Sequence, residues 1–282
     1  MSRKKEPLEL ELINMFSEYV HHKNKWPFEG VLIDRTTRFG NKYWLYCKSK
    51  EPTHDEKVDA YAIQIGHMLE SGEVSQEEVA ALHHHHLICW CRDDSLPEEK
   101  QKRCHGDILM QVADALYQKL WELGEVRSDG RIRVREFKGY YRFLSNFHVL
   151  KNKINWLGYL VPTVEHAYQM TKFIQHSEVV KEIALCSTPG ETKKLARKYK
   201  DKTRSDWQSV SLQVMECLLR IKFSDLDLMQ RLQWTKCLYL EEGNYWNDQF
   251  YGVCLKTGLG SNHLGLLLMK VRDGDEYEDG PF

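Results

Sequence analysis

Hydrophobic residues recur at every third or fourth position through most of the second half of the chain, which is the spacing of one helix face. Alternating apolar and polar positions predict only two strands there, at Arg131 to Phe137 and at Cys237 to Glu241. The pattern predicts helices over 163–175, 177–186, 190–199, 206–222, 225–233 and Asn262 to Arg272. Many helices and few strands predict an α+β fold that is mainly helical and has a small sheet.

The first half mixes short apolar runs with helical spacing. The apolar runs predict strands at Gly30 to Asp34 and Leu87 to Cys91. The helical spacing predicts helices at Leu8 to Val20, Asp55 to Glu70, Gln76 to Leu82 and Ile108 to Leu123. Strands that alternate with helices predict a small α/β domain. Turn-forming residues at 128–130 mark the boundary. We therefore expect domains at 1–126 and 131–274, followed by an acidic tail at 275–282.

Composition narrows the class of protein. The 282 residues, 42% hydrophobic and 29% charged, are enough for two buried cores. No apolar run approaches the roughly 20 residues that cross a bilayer, and the charged residues 1–6 are unlike a secretion signal. Eight cysteines without such a signal favour reduced thiols. We expect a cytoplasmic protein with no membrane partner.

Charge is segregated along the chain. The net charge of −1 gives no overall attraction to nucleic acid. One short stretch, however, is strongly basic and contains only Asp201 as an acid. Its cations are Lys193, Lys194, Arg197, Lys198, Lys200, Lys202 and Arg204. Such a run is either a surface that contacts phosphates or an ordinary solvated face.

Three polar residues share one face of the helix predicted at 163–175. Thr163 has the character of an N-cap, which places Glu165 in the first turn. Glu165, Gln169 and Lys172 then lie within roughly 40–60° of one another around the helix. The helix N-terminus favours an ionised Glu165, so we expect a general base or a hydrogen-bond acceptor. The alternative is a dipole-complementing glutamate and a solvated lysine.

Four blocks in the second half resemble the NADAR (YbiA-like) superfamily, whose characterised members cleave bonds between ribose and nitrogen. The blocks are Tyr140 to Phe147 (YYRFLSNF), Thr163 to Lys172 (TVEHAYQMTK), Arg204 to Trp207 (RSDW), and Asn244 to Gly252 with Gly258 to Gly265 and Leu268 to Arg272. The order and number of the blocks make the resemblance specific. Many relatives carry Trp at the position of Tyr251, and some carry Gly at that of Asn247.

The resemblance implies a covalent mechanism. Lys172 matches the lysine that forms a Schiff base with the sugar, and a desolvated lysine amine suits that chemistry. Glu165 and Asp248 would then be the catalytic carboxylates that move protons. No cofactor is expected. We expect substrate contacts from Asn146, Gln169, Arg204, Trp207, Trp246, Tyr251, Gly252, Gly260 and Asn262.

Several of these residues have ordinary structural interpretations. The aromatic loop around Trp246 could close a core, with Asp248 capping a turn, and Asn146 could bond its own backbone. The Gly258-x-Gly-x-Asn262 segment before the last helix could bind phosphate with free N–H groups. A turn followed by an asparagine N-cap explains it equally well.

Two substrates fit the resemblance, and both carry ribose on an exocyclic nitrogen. One is ADP-ribose attached to guanine in nucleic acid, and the other is the ribosylamino-pyrimidine intermediate of riboflavin synthesis. The basic stretch and the additional first domain favour the larger substrate, ADP-ribosylated nucleic acid, over a nucleotide-derived small molecule. The alternative of another class is a module that senses ADP-ribose or a nucleotide without turnover.

The first half holds weaker signals. Cys89, Cys91, Cys104 and His105 are residue types that bind zinc, but their spacing differs from the usual C-x₂-C and cysteine is common in buried strands. We therefore predict no metal there and keep zinc as the alternative. A Gly-bearing helix start after a strand suggests a ligand site, and a nucleotide-like ligand rests on fold analogy alone. The run at 83–86 (HHHH) predicts an exposed turn, with adventitious metal binding as the alternative.

Overall fold

The computed structural model describes residues 20–22, 30–83, 85–92 and 102–274. The chain divides into two compact units, 1–132 and 133–282. The helix predicted at 8–20 lies outside the described residues except for Val20, which is in a strand, and the predicted acidic tail at 275–282 also lies outside them. No helix in the described ranges is both long and apolar enough to span a bilayer.

The first unit is a three-stranded parallel sheet with helices. The strand order is β1–β3–β2, with parallel pairing on both sides of β3. The elements are β1 (Val20–His22), β2 (Val31–Leu32), α1 (His54–Ser71), α2 (Gln76–Ala80), β3 (Leu87–Cys89) and α3 (His105–Glu122). Parallel strands with intervening helices are the arrangement that the alternating pattern predicts.

The start of α3 lies against the strands of this sheet. Cys104 is the N-cap, and its backbone N–H donates to the Asp107 carboxylate at 2.7 Å. A Cβ atom on Gly106 would lie 2.9 Å from side-chain atoms of both Ile33 and Val20, so a larger residue would require these side chains to shift. The helix therefore begins three residues earlier than the predicted Ile108, with its first turn packed beneath the strands.

The second unit is mainly helical, and the predicted α+β class is confirmed. Its strands form three separate pairs, β4 with β7, β5 antiparallel to β6, and β8 parallel to β9. The elements are β4 (Ile132–Val134), β5 (Ile154–Trp156), β6 (Tyr159–Val161), α4 (Val164–Thr171), α5 (Ser177–Ala184), α6 (Pro189–Lys198), α7 (Trp207–Lys222), α8 (Leu226–Trp234), β7 (Leu238–Leu240), β8 (Gly243–Asn244), β9 (Val253–Cys254) and α9 (His263–Asp273).

Helix α4 is the central element of this unit. All eight of its residues are buried, and it packs against α5, α6 and α7 as well as β5 and β6. The predicted helix continues to residue 175, but α4 ends at Thr171. The Lys172 carbonyl accepts the Arg204 N–H at 2.9 Å instead of continuing the helical ladder. A helix buried on every side must satisfy its polar side chains internally.

Candidate active site

A cavity of about 260 Å³ opens beside α4 in the second unit. That volume is close to the lower end of ligand pockets, about 300 Å³. Seven residues that the sequence marks for catalysis or substrate contact lie in its wall. They are Asn146, Glu165, Gln169, Lys172, Trp246, Asp248 and Tyr251. Segments about a hundred residues apart in sequence therefore meet at one site, while the catalytic roles of these residues stay predictions.

Glu165 is buried and held by two amide groups. Asn146 Nδ2 donates to its Oε2 at 2.6 Å, and Gln169 Nε2 donates to its Oε1 at 2.7 Å. Burial raises the pKa of Glu165 above its usual value, although the charges of Lys193 and Lys172 oppose the rise. The helix N-terminus favours an ionised Glu165 and burial opposes that ionisation, so its role as a base or a hydrogen-bond acceptor stays a prediction. The N-cap role of Thr163 is confirmed, since its side chain accepts the His166 N–H.

Lys172 follows the last residue of α4, and its amine lies among aromatic rings. Nζ is 5.3 Å from the ring centre of Tyr168 and 5.4 Å from that of Trp207. Burial lowers the pKa of Lys172, while the charge of Glu165 acts in the opposite direction. A lowered pKa increases the fraction of free amine near neutrality, which is the form that attacks carbon.

The three predicted aromatic contacts differ in position. Trp207 lies outside the cavity wall and packs edge-on against Tyr168, with ring centres 4.9 Å apart. Tyr251 lines the cavity, and its hydroxyl is 2.8 Å from that of Tyr168. Trp246 also lines it, yet 64% of its surface remains exposed. Trp246 therefore presents an exposed ring at the cavity, whereas Trp207 packs beside the amine of Lys172, and contact of either ring with substrate stays a prediction.

Asp248 caps a turn and also lines the cavity. Its Oδ1 accepts the N–H groups of Phe250 at 3.2 Å and Tyr251 at 3.0 Å. The turn-capping interpretation therefore describes this carboxylate, and its catalytic role stays a prediction. The preceding Asn247 has a φ of 64°, a left-handed conformation that asparagine and glycine adopt most easily. Glycine at this position is compatible with the same turn.

Arg204, Gly252 and Gly260 are predicted substrate contacts that the structure does not bring into the cavity wall. The Arg204 guanidinium binds the Asp206 carboxylate through Nε at 2.6 Å and Nη2 at 2.7 Å. A Cβ on Gly252 or on Gly260 would lie 2.1 Å from a backbone oxygen. Both glycines are required for close backbone packing.

Asn262 also lies outside the cavity wall, and its side chain hydrogen-bonds to the backbone of Glu242, which lines the cavity. Its Oδ1 accepts the Glu242 N–H at 3.0 Å, and its Nδ2 donates to the Leu240 carbonyl at 2.8 Å. The backbone N–H groups of residues 261–264 donate to the carbonyls of residues 249–252. The backbone N–H groups at the start of α9 are therefore already hydrogen-bonded within the protein. This favours an ordinary turn over a phosphate site at Gly258 to Asn262.

The sequence interpretation missed Glu242 and did not single out Lys193, and both line the cavity. Burial raises the pKa of Glu242 to about 7. Its Oε2 is buried without a hydrogen-bond partner among the described residues. Lys193 Nζ lies 5.1 Å from the ring centre of Phe147. A carboxylate placed directly after the predicted strand at 237–241 was the one available signal for Glu242.

The basic stretch separates into three environments. Lys193 faces the cavity, whereas Lys202 pairs with Glu178 at 3.0 Å and Arg204 with Asp206. The remaining cations are exposed, and they are Lys194, Arg197, Lys198 and Lys200. Only these four and Lys193 remain as candidates for phosphate contact.

The first unit has a larger cavity of about 550 Å³. It lies beside the chain after β2 and the start of α3, with Asp34 and His105 in its wall, which is where a ligand site was expected. The histidine run is less exposed than predicted, because His83 stacks on Tyr117 with ring centres 4.0 Å apart. Its Nδ1 is also 2.8 Å from the Asp114 carboxylate. His84 lies outside the described residues.

Comparisons with known proteins give one family match in each of the two units. Residues 134–274 match the NADAR domain family, and residues 19–115 match a domain of unknown function, DUF4326. The chloroplastic riboflavin biosynthesis protein PYRR of Zea mays is 36% identical over 121 residues, which make up 39% of this chain and 19% of that protein. N-glycosidase YbiA of Shigella boydii is 34% identical over 134 residues, or 47% of this chain and 81% of the relative.

A solved structure is also similar. The NMR structure of the Escherichia coli protein YbiA is 31% identical, covers 55% of this chain and 90% of that chain, and superposes with a TM-score of 0.46. The chain thus spans most of YbiA but only about a fifth of the maize protein.

Proposed function

The chain belongs to the NADAR domain family, and from that premise we propose that its second unit hydrolyses the bond between ribose and an exocyclic nitrogen, removing ADP-ribose from guanine in nucleic acid. The relative YbiA is named an N-glycosidase, which is a hydrolase of N-glycosyl bonds. The observation that carries the proposal is one cavity in which the partly desolvated amine of Lys172 lies with the carboxylates of Glu165, Glu242 and Asp248.

Two unpartnered acceptors support a ligand rich in hydroxyl groups. Oε1 of Gln169 and Oε2 of Glu242 are buried and accept no hydrogen bond from the described residues. Both residues line the cavity. Leaving a buried acceptor unpaired costs about 1–3 kcal/mol, so a ligand that supplies donors regains that free energy. The hydroxyl groups of a ribose are donors of this kind.

Lys172 is the proposed nucleophile. Opening of the ribose ring converts the N-riboside into an imine between C1 and the exocyclic nitrogen. The Lys172 amine adds to C1 and one proton passes from Nζ to the exocyclic nitrogen. A carboxyl group of the cavity donates a second proton to that nitrogen, the bond from C1 to it breaks, and the carboxylate recovers its proton from the water that attacks later. The base leaves as its free amine, while C1 stays joined to Nζ as an iminium. Water then adds to C1 and the C1–Nζ bond breaks, which returns the amine and releases the sugar aldehyde.

The three carboxylates have different roles in proton transfer and in stabilising the charge of the iminium. Glu242, with a pKa raised by burial to about 7, can carry a proton to the departing nitrogen at neutral pH. An ionised Glu165, held by its two amide donors, stabilises the iminium on Lys172. Asp248 has one oxygen committed to its turn, so we assign it a smaller part in proton transfer than Glu242.

Cations extend from the cavity along α6, and they favour a phosphate-bearing substrate. Lys193 lines the cavity, and Arg197 lies four residues further on the same helix face. Arg197 is near enough for its charge to lower the pKa of Lys172. Exposed Lys194, Lys198 and Lys200 continue the positive surface. A diphosphate at Lys193 and Arg197, with a nucleic-acid backbone beyond, matches this distribution.

A second candidate substrate is the ribosylamino-pyrimidine of riboflavin synthesis. The observation that favours it is the similarity to a protein named for riboflavin biosynthesis. It presents the same bond and needs no phosphate surface beyond the cavity. The discriminating experiment incubates the protein separately with guanine-ADP-ribosylated DNA and with the pyrimidine, and measures released sugar by mass spectrometry.

We expect release of ADP-ribose from the DNA, loss of that release in Lys172→Ala, and its retention in Lys236→Ala, which changes an exposed lysine outside the basic stretch. Turnover of the pyrimidine alone would assign the second substrate. Binding of both compounds without turnover would instead identify a sensor module.

A further inference from the structure

Four side chains with metal-binding atoms meet at the start of α3 in the first unit. Cys89 ends β3, Cys91 lies two residues on, Cys104 caps α3, and His105 begins it. Their ligand atoms all lie within 4.8 Å of one another. Among the described residues, no other group of three or more histidine, cysteine or acidic side chains is placed to share an ion.

The distances suit a tetrahedral ion. Zinc bonds of about 2.3 Å to sulfur and 2.0–2.1 Å to nitrogen place neighbouring ligand atoms about 3.5–3.8 Å apart. His105 Nδ1 is 3.8 Å from the sulfurs of both Cys91 and Cys104. The sulfurs of Cys89 and Cys104 are 2.9 Å apart, which is longer than a disulfide bond of about 2.05 Å. An ion between these two sulfurs needs a small outward movement of one of them.

The histidine is oriented as a ligand. His105 Nε2 lies 2.7 Å from the Ile33 carbonyl oxygen, which can only accept a hydrogen bond. Nε2 therefore carries the ring proton, and the lone pair of Nδ1 points toward the sulfurs. The Tyr61 ring packs edge-on against the imidazole with centres 5.0 Å apart. A backbone carbonyl that fixes the tautomer in this way is a usual partner of a metal-binding histidine.

Backbone amides support the sulfurs as thiolates. The Cys91 N–H donates to the Cys89 sulfur at 3.1 Å, and the Gly106 N–H donates to the Cys104 sulfur at 3.3 Å. Hydrogen bonds to a sulfur favour its charged form, which is the form that binds metal.

A buried ion pair holds the two ligand-bearing segments together. The guanidinium of Arg92, next to Cys91, binds the Asp107 carboxylate and donates to the Lys102 carbonyl at 3.3 Å. Asp107 in turn accepts the Cys104 N–H at 2.7 Å. Arg92 and Lys102 are therefore positioned by contacts that involve no metal ligand atom, so a site preformed by the fold is available to an ion.

We propose that Cys89, Cys91, Cys104 and His105 bind one Zn²⁺ ion that joins the end of β3 to the start of α3. Three thiolates and an imidazole are the ligands that zinc prefers over the hard cations, which take oxygen ligands. Four protein ligands complete a tetrahedron, so the ion is structural and leaves no position for a substrate. The site lies in the first unit and does not depend on the N-glycosidase proposal.

The test uses the untagged full-length chain, purified under reducing conditions and dialysed against metal-free buffer. We expect one zinc per chain by elemental analysis, and about none in Cys91→Ser. The matched control Cys47→Ser replaces a partly exposed cysteine of the same unit and should retain the full equivalent. A His85→Gln/His86→Gln double variant should also retain it, which separates the site from the histidine run.

A second measurement keeps the proposal testable if the cysteine variant does not fold. Cobalt exchanged into the unaltered protein should give the visible bands of a tetrahedral ion together with thiolate charge-transfer absorption. Unaltered protein that is free of zinc and does not take up cobalt would overturn the proposal. Cobalt bands without thiolate absorption, or full zinc in Cys91→Ser, would overturn the ligand set.

Discussion

The side-chain amide of Gln169 donates a hydrogen bond of 2.7 Å to Oε1 of Glu165, one helical turn earlier in α4. This donor lowers the pKa of Glu165 against the larger effect of burial. In Gln169→Met, which keeps an unbranched side chain without the donor, the pKa of Glu165 should rise further. If catalysis needs ionised Glu165, the acid limb of the profile of kcat/KM against pH should move to higher pH.

The direction in which the acid limb moves identifies the group whose titration causes it. A less ionised Glu165 supports the charge of Lys172 less well, so the pKa of Lys172 falls in the same variant. An acid limb that moves to lower pH would therefore assign it to the lysine. That result would contradict the requirement for ionised Glu165.

The second prediction concerns Glu242. Its carboxyl is protonated below a pKa of about 7, so a proton donor at this position loses activity as the pH rises through about 7. Glu242→Gln should lower kcat by about 10²–10⁴-fold and abolish that alkaline limb. Glu241→Gln alters the neighbouring carboxylate, which pairs with Arg133 at 3.5 Å, and should keep the limb. An unchanged limb in Glu242→Gln would place the proton donor elsewhere.

A third prediction concerns stability. Lys222 is buried beneath the Ser145 turn, donates to the carbonyls of Leu144 and Ser145 at 3.2 and 2.9 Å, and has a pKa lowered by burial to about 7. In the unfolded chain the value is about 10.4. Between those two values the unfolded state binds more protons, so the free energy of unfolding should rise with pH. Below about pH 7 the full cost of burying a charge is present.

Denaturant unfolding across pH 7–10 measures this effect. The slope from one such lysine is at most about 1.4 kcal/mol per pH unit. Lys222→Met cannot titrate, so its curve should lack this contribution whatever its absolute stability. Parallel curves for the two proteins would show that Lys222 keeps an ordinary pKa in the folded state.

The fourth prediction concerns the exposed cations on and after α6. Replacement of Lys194, Lys198 and Lys200 by glutamine should weaken binding to ADP-ribosylated single-stranded DNA and flatten its salt dependence. Each phosphate contact contributes about 0.7 to the logarithmic salt slope for a single strand. Lys236→Gln and Lys256→Gln change exposed lysines outside this segment and should leave the slope unaltered. An identical slope in the triple variant would make the segment an ordinary solvated face.

Local signals in the sequence were sufficient to predict α4 and its polar face. The threonine N-cap and the spacing of Glu165, Gln169 and Lys172 are properties of one helix, and the structure has all three side chains in the cavity wall. Helix periodicity similarly predicts α7, which begins at Trp207 and ends at Lys222. These features need no knowledge of what packs against the helix.

Features that depend on tertiary packing could not be predicted from the sequence. Glu242 enters the cavity because Asn262, twenty residues later, holds its backbone. The raised pKa of Glu165 follows from burial by surrounding helices, which a helix-dipole argument does not contain. In the first unit, Cys89 and Cys104 meet because α3 begins beneath the sheet, and their spacing resembles no common metal motif.

The fifth prediction concerns Lys172. Lys172→Ala should lose turnover by several orders of magnitude, because the covalent route is removed. Lys172→Arg should not restore activity, since guanidinium remains protonated and is a poor nucleophile. Both variants should be compared with Lys194→Ala, which removes an exposed cation from α6 and should turn over a minimal ADP-ribosylated nucleotide normally.

Trapping of the imine tests the central claim most directly. Borohydride added during turnover of ADP-ribosylated DNA should reduce the iminium between C1 and Lys172 Nζ to a stable amine. Peptide mass spectrometry should then show the mass of reduced ADP-ribose on the peptide that contains Lys172, and on no peptide of Lys172→Ala. Active turnover without an adduct, together with a near-normal rate for Lys172→Ala, would contradict the covalent mechanism.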